Sequence, residues 1–383
     1  HTSGNNKLWC ALYLNKKCTM HSTQYVPRCA LLLSRCSTSL SISRHYGSVS
    51  DARFQKAVAE AERVVGYSPS YIGLKYLLSD EMSNVIPQLR RLVGTGHPIV
   101  QITKELLKTD HKSMQMRGLV VLLISKMAGI KETNDQVDHD ISSAIACKQK
   151  SLAEITELIH TAHLLQEGIL DVKDSETSNL QFGNKMAVLS ADLLLANACI
   201  SLANLENLSV MELVSSSLAD MAQGEFQKTS EVLNKVIDLD SWVNTNSMIS
   251  GSLLGKACQG ALQLCGHPYQ AQQAVLKFGK LLGLSWQGYQ EINEFQSLHL
   301  HSMSFRFPLH TLPVILAAKN NPDVKVLLEE TQDTVKIVEA VKDADGINLA
   351  KKMSDDHALQ AYTCLDIFEN CQAKLALKSI ICL

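Results

Sequence analysis

The chain has 383 residues, is 46% hydrophobic and 19% charged, and carries a formal net charge of −2. That is core material for one large domain or two ordinary ones, and a near-neutral chain of this kind argues against a nucleic-acid platform. No apolar run approaches the ~18–20 residues that cross a bilayer; the longest spans Leu119 to Ile124, so no transmembrane segment is expected.

Charge is unevenly spread. Residues 1–50 hold Lys7, Lys16, Lys17, Arg28, Arg35 and Arg44, many Ser and Thr, and no acid; the first carboxylate is Asp51. A basic, Ser-rich, acid-free start reads as a mitochondrial transit-like segment, which leaves 51–383 as the folded body and the mitochondrial matrix as the expected location. All 38 acids fall in that body, which disfavours nucleic-acid binding further. The 11 cysteines form no CxxC pair. Cys258/Cys265 and Cys364/Cys371 lie inside helical patterns, where cysteine packs as a small hydrophobe, so a reducing compartment is expected.

From residue 52 the apolar period is helical. Helices are expected over 52–65, 70–93 with a kink at Pro87, 98–109, 111–128, 142–171, 183–204, 207–223, 247–265, 268–296, 308–319, 322–343 and 346–377, with a polar connection over 131–141. No alternating β pattern is evident, and the fold class is all-α. Gly279 and Gly283, four apart on one face, would let another helix approach closely.

Two helices carry polar stripes. In 154–171, Ile155, Leu158, Ala162, Leu165 and Ile169 gather on one side, and His160, His163, Glu167 and Asp171 on the other, with no cation in the segment. In 278–295, Gln287, Gln290, Glu291 and Glu294 share a face. Two acidic faces turned toward one another offer the hard oxygen ligands that Mg²⁺ takes; they are equally the pattern of two solvated faces. A zinc site from His160, His163 and Glu167 lacks a clear further ligand.

These residues resemble the trans-isoprenyl diphosphate synthases, all-α enzymes that join an allylic diphosphate to isopentenyl diphosphate. Glu157, Ile159, His160, Thr161, Ala162 and Leu164 match the helix that leads into the family's DDxxD motif, with Glu167, Gly168 and Asp171 at its three aspartates. The run Gly183–Ala198, with Asp192, and the run from Trp286, with Gln287, Gln290, Glu291 and Glu294 against FQxxDDxxD, continue the likeness over roughly 52–380. The resemblance implies an isoprenoid synthase-type helical bundle around a central cavity. It implies Glu167, Asp171, Glu291 and Glu294 as vestigial metal positions, and Arg117, His160 and Gln287 as vestigial substrate positions.

The departures carry the functional expectation. Met114 replaces the lysine of GGKxxRP, and Gly118 its proline; no arginine follows Asp171; Ile249 and Ser250 stand for the Lys-Thr pair. His163 is bulky where the family's product tunnel begins. Ionising an allylic diphosphate needs metal ions and cations at the leaving group, and losing one such donor costs roughly 3–4 kcal/mol. The chain is therefore expected to be inactive alone. It is similar to a branch of the family, the non-catalytic subunits of mitochondrial long-chain (decaprenyl or solanesyl) diphosphate synthases. That likeness implies a heteromer, a heterotetramer with a catalytic subunit that binds the Mg²⁺ and both diphosphates, and a product used as the ubiquinone side chain. The alternative is an independently active Mg²⁺-dependent prenyltransferase with a relaxed, Glu-substituted metal site.

Overall fold

The longest unbroken apolar run of the sequence lies in a helix enclosed by others. Met116–Ala128 is buried on almost every side, with Leu119, Val120, Val121, Leu123 and Ile124 at or near zero exposure. A continuous apolar run suits a helix surrounded by others rather than one with a wet face.

The computed structural model describes residues 51–66, 116–129, 139–169, 178–234, 238–297, 310–330 and 334–381. Those residues form thirteen α-helices and one π turn, with no strand among them. In chain order they are α1 (Asp51–Val65), α2 (Met116–Ala128), α3 (His139–Glu167), α4 (Ser178–Ala203), α5 (Leu208–Leu233), α6 (Leu239–Asn246), the π turn Ser247–Gly251, α7 (Ser252–Leu264), α8 (Tyr269–Ser297), α9 (Leu312–Asn320), α10 (Pro322–Glu330), α11 (Thr334–Asp343), α12 (Gly346–Thr363) and α13 (Gln372–Ile381).

Helices α2, α3, α7 and α8 form the middle of the bundle: α7 lies against α2, α3, α5 and α8, and α4 runs along α3. The last helix, α13, folds back onto α1 and α2, so the large apolar core includes Phe54 and Ile380 together. Two smaller clusters, around Phe295 and Val341 and around Trp242 and Ile292, lie under α9–α12.

The Gly279/Gly283 pair does what its spacing suggested. A Cβ on Gly279 would fall 2.5 Å from the Gly255 Cα, and one on Gly283 would fall 2.7 Å from the Gly251 Cα. The π turn and α7 thus meet α8 backbone to backbone through Gly251, Gly255, Gly279 and Gly283. The same device sits in α5, where a Gly224 Cβ would meet Ile249 at 2.6 Å. Gly224 is interior to α5, which therefore continues to Leu233, ten residues past the expected end at 223.

Other boundaries move for local reasons. Helix α3 stops at Glu167 instead of reaching 171: Gly168 N still bonds Leu164 O, but Ile169 N turns to Gln166 O, the tighter closure of a helix end. Ile169 is consequently 40% exposed rather than on the buried face. The polar connection expected to run to 141 has already entered α3 at His139. A short helix, α6, capped by Asp238 through Ser241 N, precedes the π turn where the expected helix began at 247. The stretch 346–377 is two helices, since the chain turns at Cys364–Phe368 to bury Leu365 and return α13 to the core. The stretch 322–343 likewise holds α10 and α11. The helices expected over 70–93 and 98–109, the segment 1–50, Met114 and Asp171 lie outside the described residues.

One expectation needs qualification. Within α4, Leu180–Ala203 is long and apolar enough, by length and composition, to cross a membrane, although no unbroken apolar run of that length exists. It packs along α3 on one side and leaves Val188, Leu189, Leu193 and Ile200 exposed on another.

Candidate functional site

The polar stripe of α3 is buried at its start and opens to solvent at Glu167. His160 is 8% exposed, and Glu157, one turn earlier, is 3% exposed. Helix α2 comes so close that a Cβ on Gly118 would lie 2.9 Å from the Glu157 Cγ. The bare Gly118 N–H donates to Glu157 Oε1 at 2.6 Å, a bond that proline, with no N–H, could not make. Arg117, beside it, donates from Nη1 to His160 Nε2 at 2.6 Å and lies over the Trp286 ring, 5.7 Å from its centroid. A guanidinium has only donors, so the His160 Nε2 accepts and the ring carries its proton on Nδ1. Arg117 therefore turns inward, toward His160, Trp286 and the charges of Glu157 and Glu167. Burial pulls its pKa down to about 10, partly offset by those two carboxylates, so it stays charged at neutral pH.

Burial pushes the Glu157 carboxyl up to about 7, against the bond from Gly118 and the charge of Arg117. Its Oε2 is buried without a hydrogen-bond partner, which makes the ionised form costly. The stability consequence has a definite sign. The folded pKa lies above the ordinary 4.5, so the folded chain holds this proton through a window in which the unfolded chain has lost it. The contribution is fully present below about 4.5 and is lost as pH rises through about 7. Glu157→Gln is expected to remove on the order of 2 kcal/mol of the fall in stability between those limits. Urea unfolding of both proteins at pH 5, 6 and 7 checks this; parallel pH slopes would refute it.

The stripe on α8 is drawn into a different network. Glu291 is 7% exposed, and its carboxylate is surrounded by donors. Trp242 Nε1 reaches both oxygens, at 3.0 and 3.3 Å; Leu312 N donates to Oε2 at 2.7 Å; Gln287 Nε2 donates to Oε1 at 2.9 Å. Leu312 is the first residue of α9, whose preceding Thr311 provides no side-chain cap, so Glu291 satisfies a helix N-terminus from across the fold. Gln287 in turn accepts from Ser250 Oγ at 2.8 Å, within the π turn. Burial outweighs these donors and pushes the Glu291 carboxyl up to about 7. Gln290 donates to Glu294, which is exposed at the end of the stripe.

Between the two stripes lies an acidic cleft. Glu167 of α3 and Glu294 of α8 feel each other's charge, so the two faces do approach one another. Helix α5 adds residues that the sequence reading did not single out. Glu225 lies 3.8 Å from His163 Nε2, as does Glu167, and the Lys228 Nζ lies 3.9 Å from Glu167. His163, Glu167 and Glu225 bring three potential ligand atoms within 4.8 Å of one another. The trio weighed from sequence, His160 with His163 and Glu167, is divided: His160 serves Arg117, and Glu225 takes the third place. The signal for Glu225 and Lys228 was their i, i+3 spacing on a helix, out of view because the expected helix stopped at 223. Asp192 is exposed on α4.

Residues 99–298 match the polyprenyl synthetase family. The chain is 37% identical over 355 residues to All trans-polyprenyl-diphosphate synthase PDSS2 of Homo sapiens, an alignment covering 88% of this chain and 89% of that protein. It is 27% identical over 395 residues to the Probable hexaprenyl pyrophosphate synthase, mitochondrial, of Yarrowia lipolytica, covering 85% and 87%. Among solved structures, a decaprenyl diphosphate synthase from Rhodobacter capsulatus superposes with TM-score 0.59 at 20% identity, over 86% of this chain and 97% of that one. The polyprenyl synthase from Caulobacter crescentus CB15, complexed with calcium and isoprenyl diphosphate, gives 0.61 at 18% identity, over 87% and 96%. At such identities these two structures speak for the fold alone: the all-α bundle of the isoprenyl synthases.

Proposed function

The chain belongs to the polyprenyl synthetase family, and on that premise we propose that it is the non-catalytic subunit of a heteromeric trans-polyprenyl diphosphate synthase that makes the ubiquinone side chain. Members of the family are Mg²⁺-dependent prenyltransferases. The observation that carries the proposal is the state of Glu291. A metal ligand needs a free oxygen lone pair facing the ion, and this carboxylate is held by Trp242, Gln287 and the α9 N-terminus. Gln287, which the family pattern assigns to substrate, bridges Glu291 and Ser250. Arg117, the cation kept from the diphosphate-binding motif, is turned to His160 and Trp286. His163, at the expected tunnel mouth, lies between α3 and α5 beside Glu167 and Glu225. Side chains that would serve substrate thus serve the fold, and Mg²⁺ does not fit this donor set. In this reading the metal and both diphosphates belong to a catalytic partner.

The exposed side of α4 suits such a partner. Ile200 is 61% exposed, and Val188, Leu189 and Leu193 are also exposed, on a helix with few charges to solvate it. An apolar face of that length is stabilised when another helix covers it. We further propose the mitochondrial matrix as the location: 1–50 is transit-like, and the Yarrowia lipolytica and Neurospora crassa relatives carry mitochondrial in their names.

Expression of this chain alone, and together with a family member that has both aspartate motifs intact, tests the reading. The chain alone is expected to give less than about a thousandth of the Mg²⁺-dependent elongation of the pair, in line with the loss of more than one leaving-group donor. The two chains are expected to co-purify, and Leu193→Glu on α4 is expected to release the partner. Robust turnover by the chain alone would establish the relaxed-metal alternative instead.

A further inference from the structure

The acidic cleft between α3, α5 and α8 poses an electrostatic problem of its own. Glu167, Glu225 and Glu294 converge there, with Glu291 behind them. Carboxylates gathered in this way repel one another unless a cation lies among them. In a family that uses Mg²⁺, that cation would be expected to be metal, but Glu291, at one of the family's metal positions, is saturated by Trp242, Leu312 N and Gln287.

We infer that Lys228 is the resident cation of this cleft, an ammonium built into the chain that does the charge balancing a divalent ion would otherwise do and that opposes the entry of one. Its Nζ lies 3.9 Å from Glu167 Oε1, across from α3, and Glu225 stands one turn back on its own helix. Its charge interacts with all four carboxylates: Glu167, Glu225, Glu291 and Glu294. Its side chain is 43% exposed, and a lysine in contact with water and carboxylates is cationic at neutral pH. A lysine suits the task because its compact charge and rotating donors can face several carboxylates in turn, where a planar guanidinium fixes on one. Arg117, a second cation near Glu167 among the described residues, is committed to His160 and the Trp286 face.

The trio His163, Glu167 and Glu225 is where a metal would otherwise settle, and it offers softer, nitrogen-containing coordination. An ion bound there would sit beside the Lys228 ammonium, which already approaches Glu167. The repulsion between the two cations and the competition for one carboxylate both work against binding.

This inference concerns metal affinity of the chain itself and stands whether or not a partner is required for turnover. Its test is Mn²⁺ binding, read by electron paramagnetic resonance on the full chain, or on its complex as the difference between wild type and variant. Wild type is expected to hold no stoichiometric Mn²⁺ in this cleft at millimolar concentrations. Lys228→Gln, folded by circular dichroism, is expected to gain a site with about tenfold or greater increase in affinity, because one cationic competitor is gone. Lys228→Arg is expected to behave as wild type, and Lys228→Gln with Glu167→Gln to lose the gain. Stoichiometric Mn²⁺ in the wild-type cleft, removed by Glu225→Gln, would overturn the inference; so would a folded Lys228→Gln that gains nothing. Should Lys228→Gln not fold, the wild-type measurement still decides.

Discussion

Replacing Gly279 by alanine is expected to destabilise the fold by about 3 kcal/mol or more. The new methyl would fall 2.5 Å from the Gly255 Cα, 2.6 Å from the Gly255 N and 2.8 Å from the Leu254 C. All three atoms are backbone, and both helices belong to the buried middle of the bundle, so no side chain can rotate away to make room. Helices α7 and α8 would have to separate, opening gaps around Leu254, Cys258, Val275 and Phe278, each nearly or fully buried. Overpacking of this kind costs about 3 kcal/mol or more. In a chain of this size that corresponds to a fall in Tm of roughly 4 °C or more, or to insolubility during expression. Gly260→Ala is the control. Its Cβ would lie 3.3 Å from the Val210 Cγ1 and 3.4 Å from the Leu152 Cδ2, contacts with side chains that can yield, and alanine is the better helix former. The thermal melts of the two variants should differ sharply. Equal melts would show that the helices do not meet as described.

Glu291→Ala is the second large effect. Alanine would strand the Trp242 indole N–H, the Leu312 N–H and the Gln287 amide, all of which donate to this carboxylate. Removing a buried hub acceptor while its donors remain buried costs on the order of 3 kcal/mol. The loss should be local first: α9 begins at Leu312 with no other side-chain cap, so proteolysis near 310–320 should precede global unfolding. Glu291→Gln keeps an acceptor oxygen and removes the charge that burial disfavours, so it should retain much of the stability. Limited proteolysis with mass mapping separates the cases. Unchanged cleavage in Glu291→Ala would mean that this carboxylate does not hold the start of α9, and the argument against it as a metal ligand would fall with it.

Much of this protein was legible without coordinates. Helical periodicity was strong because the segments are long, and the apolar run in α2 could only be a core helix. The stripes of α3 and α8 followed from angular position alone, as did the close packing of Gly279 and Gly283. The comparison of motif residues, Glu167, Gly168, Glu291 and Glu294 against aspartates, drew attention to the facing stripes of α3 and α8.

What the stripes do was not legible, for a physical reason. Periodicity shows which residues share a face, but not which donors and charges another helix brings to that face. Glu291 looks like a metal position until Trp242 and the first N–H of α9 arrive from other parts of the chain. Arg117 could have served phosphate or protein; its direction was decided by the close approach of α2 to α3 over Gly118. Gly224 offers the clearest contrast. The helix expected over 207–223 stops just before this residue, which left Glu225 and Lys228 out of view. In the fold it is the point where α5 lies against Ile249 and Met248, the helix continues, and its next turn carries a carboxylate and an ammonium into the cleft. The sequence alone determined the all-α class, the course of most helices and the two polar faces, because these rest on local period and composition. Tertiary structure alone decided how those faces are satisfied, because hydrogen bonds and charge balance depend on residues that meet only after the chain has folded.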